Sequence, residues 1–272
     1  MTTRTVRRTR HPLQVAAAGA AALLALSACS SSGSDSSAKP DSSGPGKPSG
    51  EVTVFAAASL KESFTTLGKR FEKEHPGTKV TFSFGGSDSL AASITGGAPA
   101  DVFASASPRT MKIVKDAGAV SGTPATFVRN ELEIATLPGN PHRVSSLEDL
   151  TGRDLKVVLC DKEVPCGAAA RQALDAARLT LTPVSYEQDV KAALTKVELK
   201  EADAAVVYKT DVHAAGDKVE GVEFPESADA VNDYPIALLK DARNAEAAKA
   251  FIALVQSAEG QKVLSGAGFL TP

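Results

Sequence analysis

In two places the 272-residue chain passes from an apolar, strand-like stretch into a helical period through small and hydroxyl residues alone. The first is Val54-Phe55-Ala56-Ala57-Ala58-Ser59-Leu60. The second is Phe82-Ser83-Phe84-Gly85-Gly86-Ser87-Asp88-Ser89-Leu90. A Ser at a helix start ordinarily caps the helix by accepting one of its backbone N–H bonds. Here the neighbouring Ala and Gly residues remove bulk, so a ligand could approach the main chain. Helix N-termini carry unpaired N–H groups and partial positive charge, which together hold oxyanions, and a Ser hydroxyl can donate to the same anion. Val164-Pro165-Cys166-Gly167 and Gln188-Asp189-Val190 offer two further helix starts. Tyr208 ends the apolar stretch Ala204–Val207, where its hydroxyl would face a crevice at the C-terminal edge of a sheet. Taken alone, Tyr208 reads more readily as a packing residue. The candidate binding residues are thus Ser59, Ser87, Cys166, Val190 and Tyr208.

Other chemistry is poorly supplied. His11 would be lost with an export signal, and His75, His142 and His213 read as exposed, with no metal-ligand spacing. No Gly-x-Ser-x-Gly elbow, Walker loop or Gly-x-Gly-x-x-Gly fingerprint follows a strand. A protein without catalytic activity, cofactor or protein-bound metal is expected. Asp101, in Ala98-Pro99-Ala100-Asp101, invites an acid–base role. A backbone-capping role fits better, because its charge would repel an anion beside it.

The elements that must position these residues alternate. Strands are expected at Glu51–Ala58, Lys79–Phe84 and Asp101–Ala104. Helices follow them at Leu60–Glu74, from Leu90 onward, and at Pro108–Ala117 with Pro in the first turn. The alternation continues with strands at Leu132–Leu137, Lys156–Leu159, Ala204–Tyr208, Val219–Phe224 and Tyr234–Leu239. Helices are expected at Ser146–Leu150, Gly167–Ala177, Gln188–Val197, Ala245–Val255 and Gly260–Gly266. This is an α/β pattern of mainly parallel sheets covered by helices. With no second linker and no internal repeat, two lobes with interleaved connections fit it best.

The first fifty residues read as an address. Met1–Arg10 is basic, Leu13–Leu26 is almost wholly apolar, and Leu26-Ser27-Ala28-Cys29 supplies a small-residue cleavage site. The apolar run is too short to span a bilayer. Leu26-Ser27-Ala28-Cys29 resembles a bacterial lipobox, which implies cleavage after residue 28 and a lipid on Cys29 at the outer face of the cell membrane. Ser30–Gly50, with nine Ser, four Gly and three Pro, cannot bury a core and is expected to be a disordered tether. Cys29 accounts for the odd cysteine. Export then favours a disulfide between Cys160 and Cys166, with two free thiols as the alternative. The formal charge of −2 becomes −6 once Arg4, Arg7, Arg8 and Arg10 leave with the signal. An acidic surface argues against nucleic acid as a partner, and so do 5% aromatics with no Trp.

The ordered series of motifs resembles the molybdate-binding proteins of bacterial ABC importers. It comprises Val52-x-Val54-Phe55-Ala56-Ala57-Ala58-Ser59-Leu60, Phe84-x-Gly86-Ser87-x-x-Leu90 and Gly97-Ala98-Pro99-Ala100-Asp101-Val102-Phe103-Ala104-Ser105-Ala106. Arg129-Asn130-x-Leu132, Val164-Pro165-x-Gly167, Asp189-Val190-Lys191-Ala192 and Ala202-Asp203-Ala204-Ala205-Val206-Val207-Tyr208 continue it. The resemblance covers about residues 51–272. It implies a type II periplasmic-binding-protein fold, with lobe 1 from residues 51–131 and 233–272, lobe 2 from 132–232, and two strands crossing between them. It further implies that Ser59 and Ser87 donate through hydroxyl and backbone, Cys166 and Val190 through backbone N–H, and Tyr208 through its hydroxyl. The ligand would be molybdate, with tungstate beside it, and the partners a permease and an ATPase of an importer. The protein is expected to act as a monomer. Two departures stand out: Cys166 replaces an Ala common in the family, which keeps the N–H, and Lys200 replaces a Gly at a turn. Two other readings stay open: the same fold tuned to another oxyanion such as sulfate, and a surface lipoprotein with an interaction role.

Overall fold

The computed structural model describes residues 48–272. The expected signal segment, nearly all of the tether and the lipid site Cys29 lie outside the described residues.

Five strands form the first sheet, in the order β2-β1-β3-β10-β4. They are β1 (Gly50–Ala57), β2 (Thr78–Gly85), β3 (Val102–Ala104), β4 (Val120–Asn130) and β10 (Asn232–Leu239). The second sheet runs β7-β6-β8-β5-β9. Its members are β5 (Leu132–Thr136), β6 (Val157–Cys160), β7 (Ser185–Glu187), β8 (Ala204–Tyr208) and β9 (Glu220–Val222). Parallel pairing holds where βαβ units build the sheet, at β1 with β2 and β3, and at β6 with β7 and β8. The expectation of mainly parallel sheets is met only in that half of each. The other half is antiparallel, β10 on β3 and β4, and β5 on β8 and β9. The reason is connectivity: β4 leads directly into β5, and β10 returns from the second sheet, so these strands carry the chain between lobes. The two crossings lie side by side, with Asn130 paired opposite Asn232 in the β4–β10 ladder.

Period-two alternation sorts the first sheet's side chains onto two faces. Val102 and Ala104 of β3 join Phe64, Phe71 and Phe251 under α1 (Lys61–Glu74), α7 (Ala245–Gln256) and α8 (Ala258–Gly266). Phe103 between them joins Leu90, Met111 and Val114 under α2 (Ser87–Thr95) and α3 (Pro108–Asp116). The second sheet has one contiguous core with α4 (Pro165–Ala176) and α5 (Val190–Glu198), including Ala169, Ala173, Leu194 and Val206. Burying each large apolar side chain contributes about 1.5–3 kcal/mol. Ala58, from the turn before α1, packs into the second core, so the lobes touch.

Four elements depart from the sequence reading. β4 is mostly exposed along its first two-thirds and contains Gly122 and Pro124, so it shows no alternation to read. The three-residue edge strand β7 and α6 (Lys209–Ala215) are too short for a period. Ser146–Leu150, expected as a helix, gives a single 3-10 turn at Asp149–Thr151.

Candidate functional site

Four helix starts and one strand end converge on a small cavity of about 10 Å³ between the sheets. Ala57, Ala58 and Ser59 enter from the turn before α1; Gly85, Gly86 and Ser87 from the start of α2; Val164, Pro165 and Cys166 from α4; Asp189 and Val190 from α5. Ala106 and Tyr208 complete the wall. All five sequence-derived candidates are therefore together. Each is shielded from water: Ser59 is 4% exposed, Ser87 1%, Cys166 2%, Val190 3% and Tyr208 1%. A larger cleft of about 480 Å³ lies on the second lobe around Cys160, Arg171 and Tyr186, but it gathers none of these donors.

The helix starts are left available. No side chain caps the 3-10 turn at Ala58–Leu60, α2 or α4; only α5 is capped, by the Asp189 carboxylate accepting from Ala192 N–H at 2.9 Å. The first N–H groups of a helix have no carbonyl partner within it. Several such helix starts around one cavity walled by buried residues make a favourable site for an anion, since burial strengthens each interaction. No Lys or Arg lines the wall.

Neither serine caps its own helix, contrary to the usual role. Ser87 Oγ accepts from Ala106 N–H at 3.0 Å. Ser59 Oγ lies 2.9 Å from the Tyr234 hydroxyl. Asn130 Nδ2 donates to that hydroxyl at 3.3 Å and to Thr210 Oγ1 at 2.9 Å, while Asn130 Oδ1 accepts from Glu131 N–H at 3.1 Å. Asn232 Nδ2 donates to the Tyr208 hydroxyl at 2.6 Å and to the Ala106 carbonyl at 2.9 Å, with the Pro165 carbonyl at 3.5 Å. The two tyrosine rings meet edge to face. Burial pushes both phenols above their ordinary range, so both keep their protons at neutral pH. Tyr234 and Asn232 escaped the sequence reading, and Asn130 entered it only within a motif. An isolated Tyr or Asn has no local signature; the chain crossings at 130–132 and 230–232 were the only available pointer.

Close approach at the rim depends on glycine twice. A Cβ on Gly86 would stand 2.4 Å from the Gln188 carbonyl, which belongs to the opposite lobe. A Cβ on Gly167 would collide with the Asp161 and Cys160 carbonyls. Gly167 follows the Cys160–Cys166 disulfide, which closes the loop that presents Cys166. Asp101 does not line the cavity. Its carboxylate accepts from Thr53 N–H at 2.7 Å and from Arg243 N–H at 2.6 Å, the capping role expected of it.

One residue past Val190, Lys191 spans the lobes. Its Nζ lies 3.0 Å from Glu62 Oε2 on α1 and 3.1 Å from Asp211 Oδ1 on α6. Asp211 is fully buried, and burial pushes its carboxyl up to about 6 even though Lys191 opposes this. Burial alone would lower the Lys191 ammonium; Asp211 and Glu62 outweigh it and raise it.

The bacterial extracellular solute-binding protein family has a sequence model that matches residues 52–270. The molybdate-binding protein ModA of Mycobacterium tuberculosis is 43% identical over 229 residues, covering 84% of this chain and 88% of that one. The periplasmic molybdate-binding protein of Azotobacter vinelandii superposes with a TM-score of 0.69 at 20% identity, over 81% of this chain and 99% of that one. The sulfate-binding protein SubI of Mycobacterium tuberculosis shares the fold equally, with a TM-score of 0.69 at 18% identity over 80% and 86%. The fold alone thus spans more than one oxyanion, while the sequence likeness points within it. This chain belongs to the bacterial extracellular solute-binding proteins, in their molybdate-binding group.

Proposed function

We propose that this chain captures molybdate, and tungstate with it, outside the cytoplasm and passes it to the permease and ATPase of an ABC importer. One observation carries the reading: Ser59, Ser87, Cys166, Val190 and Tyr208 surround one buried cavity that no cationic side chain lines. In this reading the two serines donate through hydroxyl and backbone, Cys166 and Val190 through backbone N–H, and Tyr208 through its hydroxyl. A dianion is held by neutral dipoles, and donors from both sheets make the anion itself the link between lobes. Binding and release complete the task, so no catalytic step is assigned. A lipid on Cys29 would keep a monomer beside its membrane partners.

Sulfate is the second reading, favoured by the same wall of donors, since it too is a tetrahedral dianion at neutral pH. Charge cannot separate these ions, so cavity size must. Thermal unfolding with micromolar molybdate, tungstate, sulfate or phosphate decides. A ligand at a thousandfold excess over its Kd stabilises the folded chain by about 4 kcal/mol. The expected result is a large rise in Tm with molybdate and tungstate only. A rise with sulfate alone would replace the ligand, and no rise with any of them would leave a surface lipoprotein with an interaction role.

A further inference from the structure

Lys191 follows Val190 directly, yet it does not line the cavity. Its ammonium is turned to the seam between α5, α6 and α1, where it meets two carboxylates. The two differ in kind. Asp211 belongs to the same lobe as Lys191 and is fully buried, and among the described residues Lys191 is its only ion-pair partner. A buried carboxylate is costly unless paired, so Asp211 holds the ammonium in place. Glu62 belongs to the other lobe, and its side chain is 49% exposed. It stands in the first turn of α1, three residues past Ser59 of the cavity wall. The ion pair thus runs beside the wall, with Ser59 and Glu62 on one lobe and Val190 and Lys191 on the other. A movement that carries Ser59 away from Val190 carries Glu62 away from Lys191.

A second pair crosses the lobes and shows what is special about the first. Arg109 on α3 lies 3.3 Å from Glu163 Oε2 and donates to the Glu163 carbonyl. Both side chains are largely exposed, with no buried charge behind them. Pairs of that kind are screened by solvent and contribute little. The Lys191 side chain is only 22% exposed and is pinned from behind by Asp211. Holding a long side chain in one geometry beforehand removes the entropy loss that weakens most such pairs.

We propose that Lys191 is a positioning residue, a latch anchored by Asp211 and caught by Glu62, which favours the arrangement that brings the donors of both lobes to one anion. The latch rests on the oxyanion reading above. It adds no contact to the anion. It acts on the fit of one lobe to the other, so it raises the affinity for every anion that the cavity takes by the same factor.

The test is calorimetric titration of the full chain with molybdate, tungstate and sulfate. Glu62→Gln keeps the length of the side chain and removes its charge. It is expected to lower the affinity for each anion that the wild type binds by one common factor, about threefold to fivefold. Glu62→Lys, which sets a second cation against Lys191, is expected to cost about tenfold or more. In about 1 M potassium chloride, where charges are screened beyond about 3 Å, the Glu62→Gln loss is expected to fall below about twofold. Arg109→Gln is expected to stay within about twofold at low salt. A loss there as large as that of Glu62→Gln would mean that any cross-lobe charge serves, and overturns the role of Lys191. In a chain carrying Lys191→Met and Asp211→Asn together, adding Glu62→Gln is expected to cost nothing further, and an equal loss in both backgrounds overturns the latch. Should that double variant not fold, the salt series on Glu62→Gln and Glu62→Lys decides. A loss that salt leaves unchanged, or that differs between anions, overturns the latch, because it reports packing or direct contact. Unchanged affinity in Glu62→Gln overturns the latch alone. A wild-type chain that binds none of the three anions overturns the oxyanion reading and the latch with it.

Discussion

The two lobes build their halves of the cavity differently. The first contributes hydroxyl side chains, Ser59 and Ser87, on helix starts that no side chain caps. The second places Cys166 and Val190 at helix starts with their side chains buried in its own core, so main chain is what it offers, together with Tyr208. Residue identity matters on one side and backbone position on the other. Alanine substitution therefore tests only half of such a site.

The largest expected effect breaks the backbone half. Val190 is the first residue of α5, and Asp189 before it is extended, at φ −158° and ψ 169°. Proline is well suited to both conditions and removes only the N–H. Val190→Pro is expected to weaken molybdate binding about a hundredfold, whereas Val190→Ala, which keeps the N–H, is expected to stay within about threefold; titration calorimetry on both separates backbone from side chain. Equal losses would mean that the side chain, not the N–H, is what counts there. Next come Ser59→Ala and Ser87→Ala, each expected to cost about tenfold in affinity as one hydrogen bond to a charged ion is lost. The smallest effect concerns stability. Because the buried Asp211 carboxyl titrates near 6 instead of 3.8, the folded chain holds the extra proton, and stability from this group falls as pH rises from about 4 to about 6. Asp211→Asn cannot lose that proton. Denaturant unfolding at pH 4 and 7 should find the variant gaining on wild type as pH rises, and a constant difference would rule out this titration.

The sequence carried much of this architecture. Hydrophobic alternation and helical period located the βαβ units, and small residues beside Ser59 and Ser87 marked two of the helix starts that line the cavity. What it could not carry is contact across distance. β4 lacks an apolar rhythm because its outer part faces solvent. Asn130 and Asn232 are unremarkable in their local sequence and become partners only when the two crossings lie side by side. The same holds for the serines: a hydroxyl at a helix start reads as a cap, and only the folded chain brings Ala106 and Tyr234 to engage it instead.

Gly86 against the Gln188 carbonyl has a kinetic consequence. Beside the cavity one lobe rests on the other at this contact. Separating the lobes would part the wall that surrounds an ion, so the strength of the interlobe seam enters the ion's residence time. Lys191, reaching from α5 to Glu62 on the other lobe, is part of that seam. Whatever prises the lobes apart sets the moment of discharge, and a cargo-handling machine could do so without ever touching the ion.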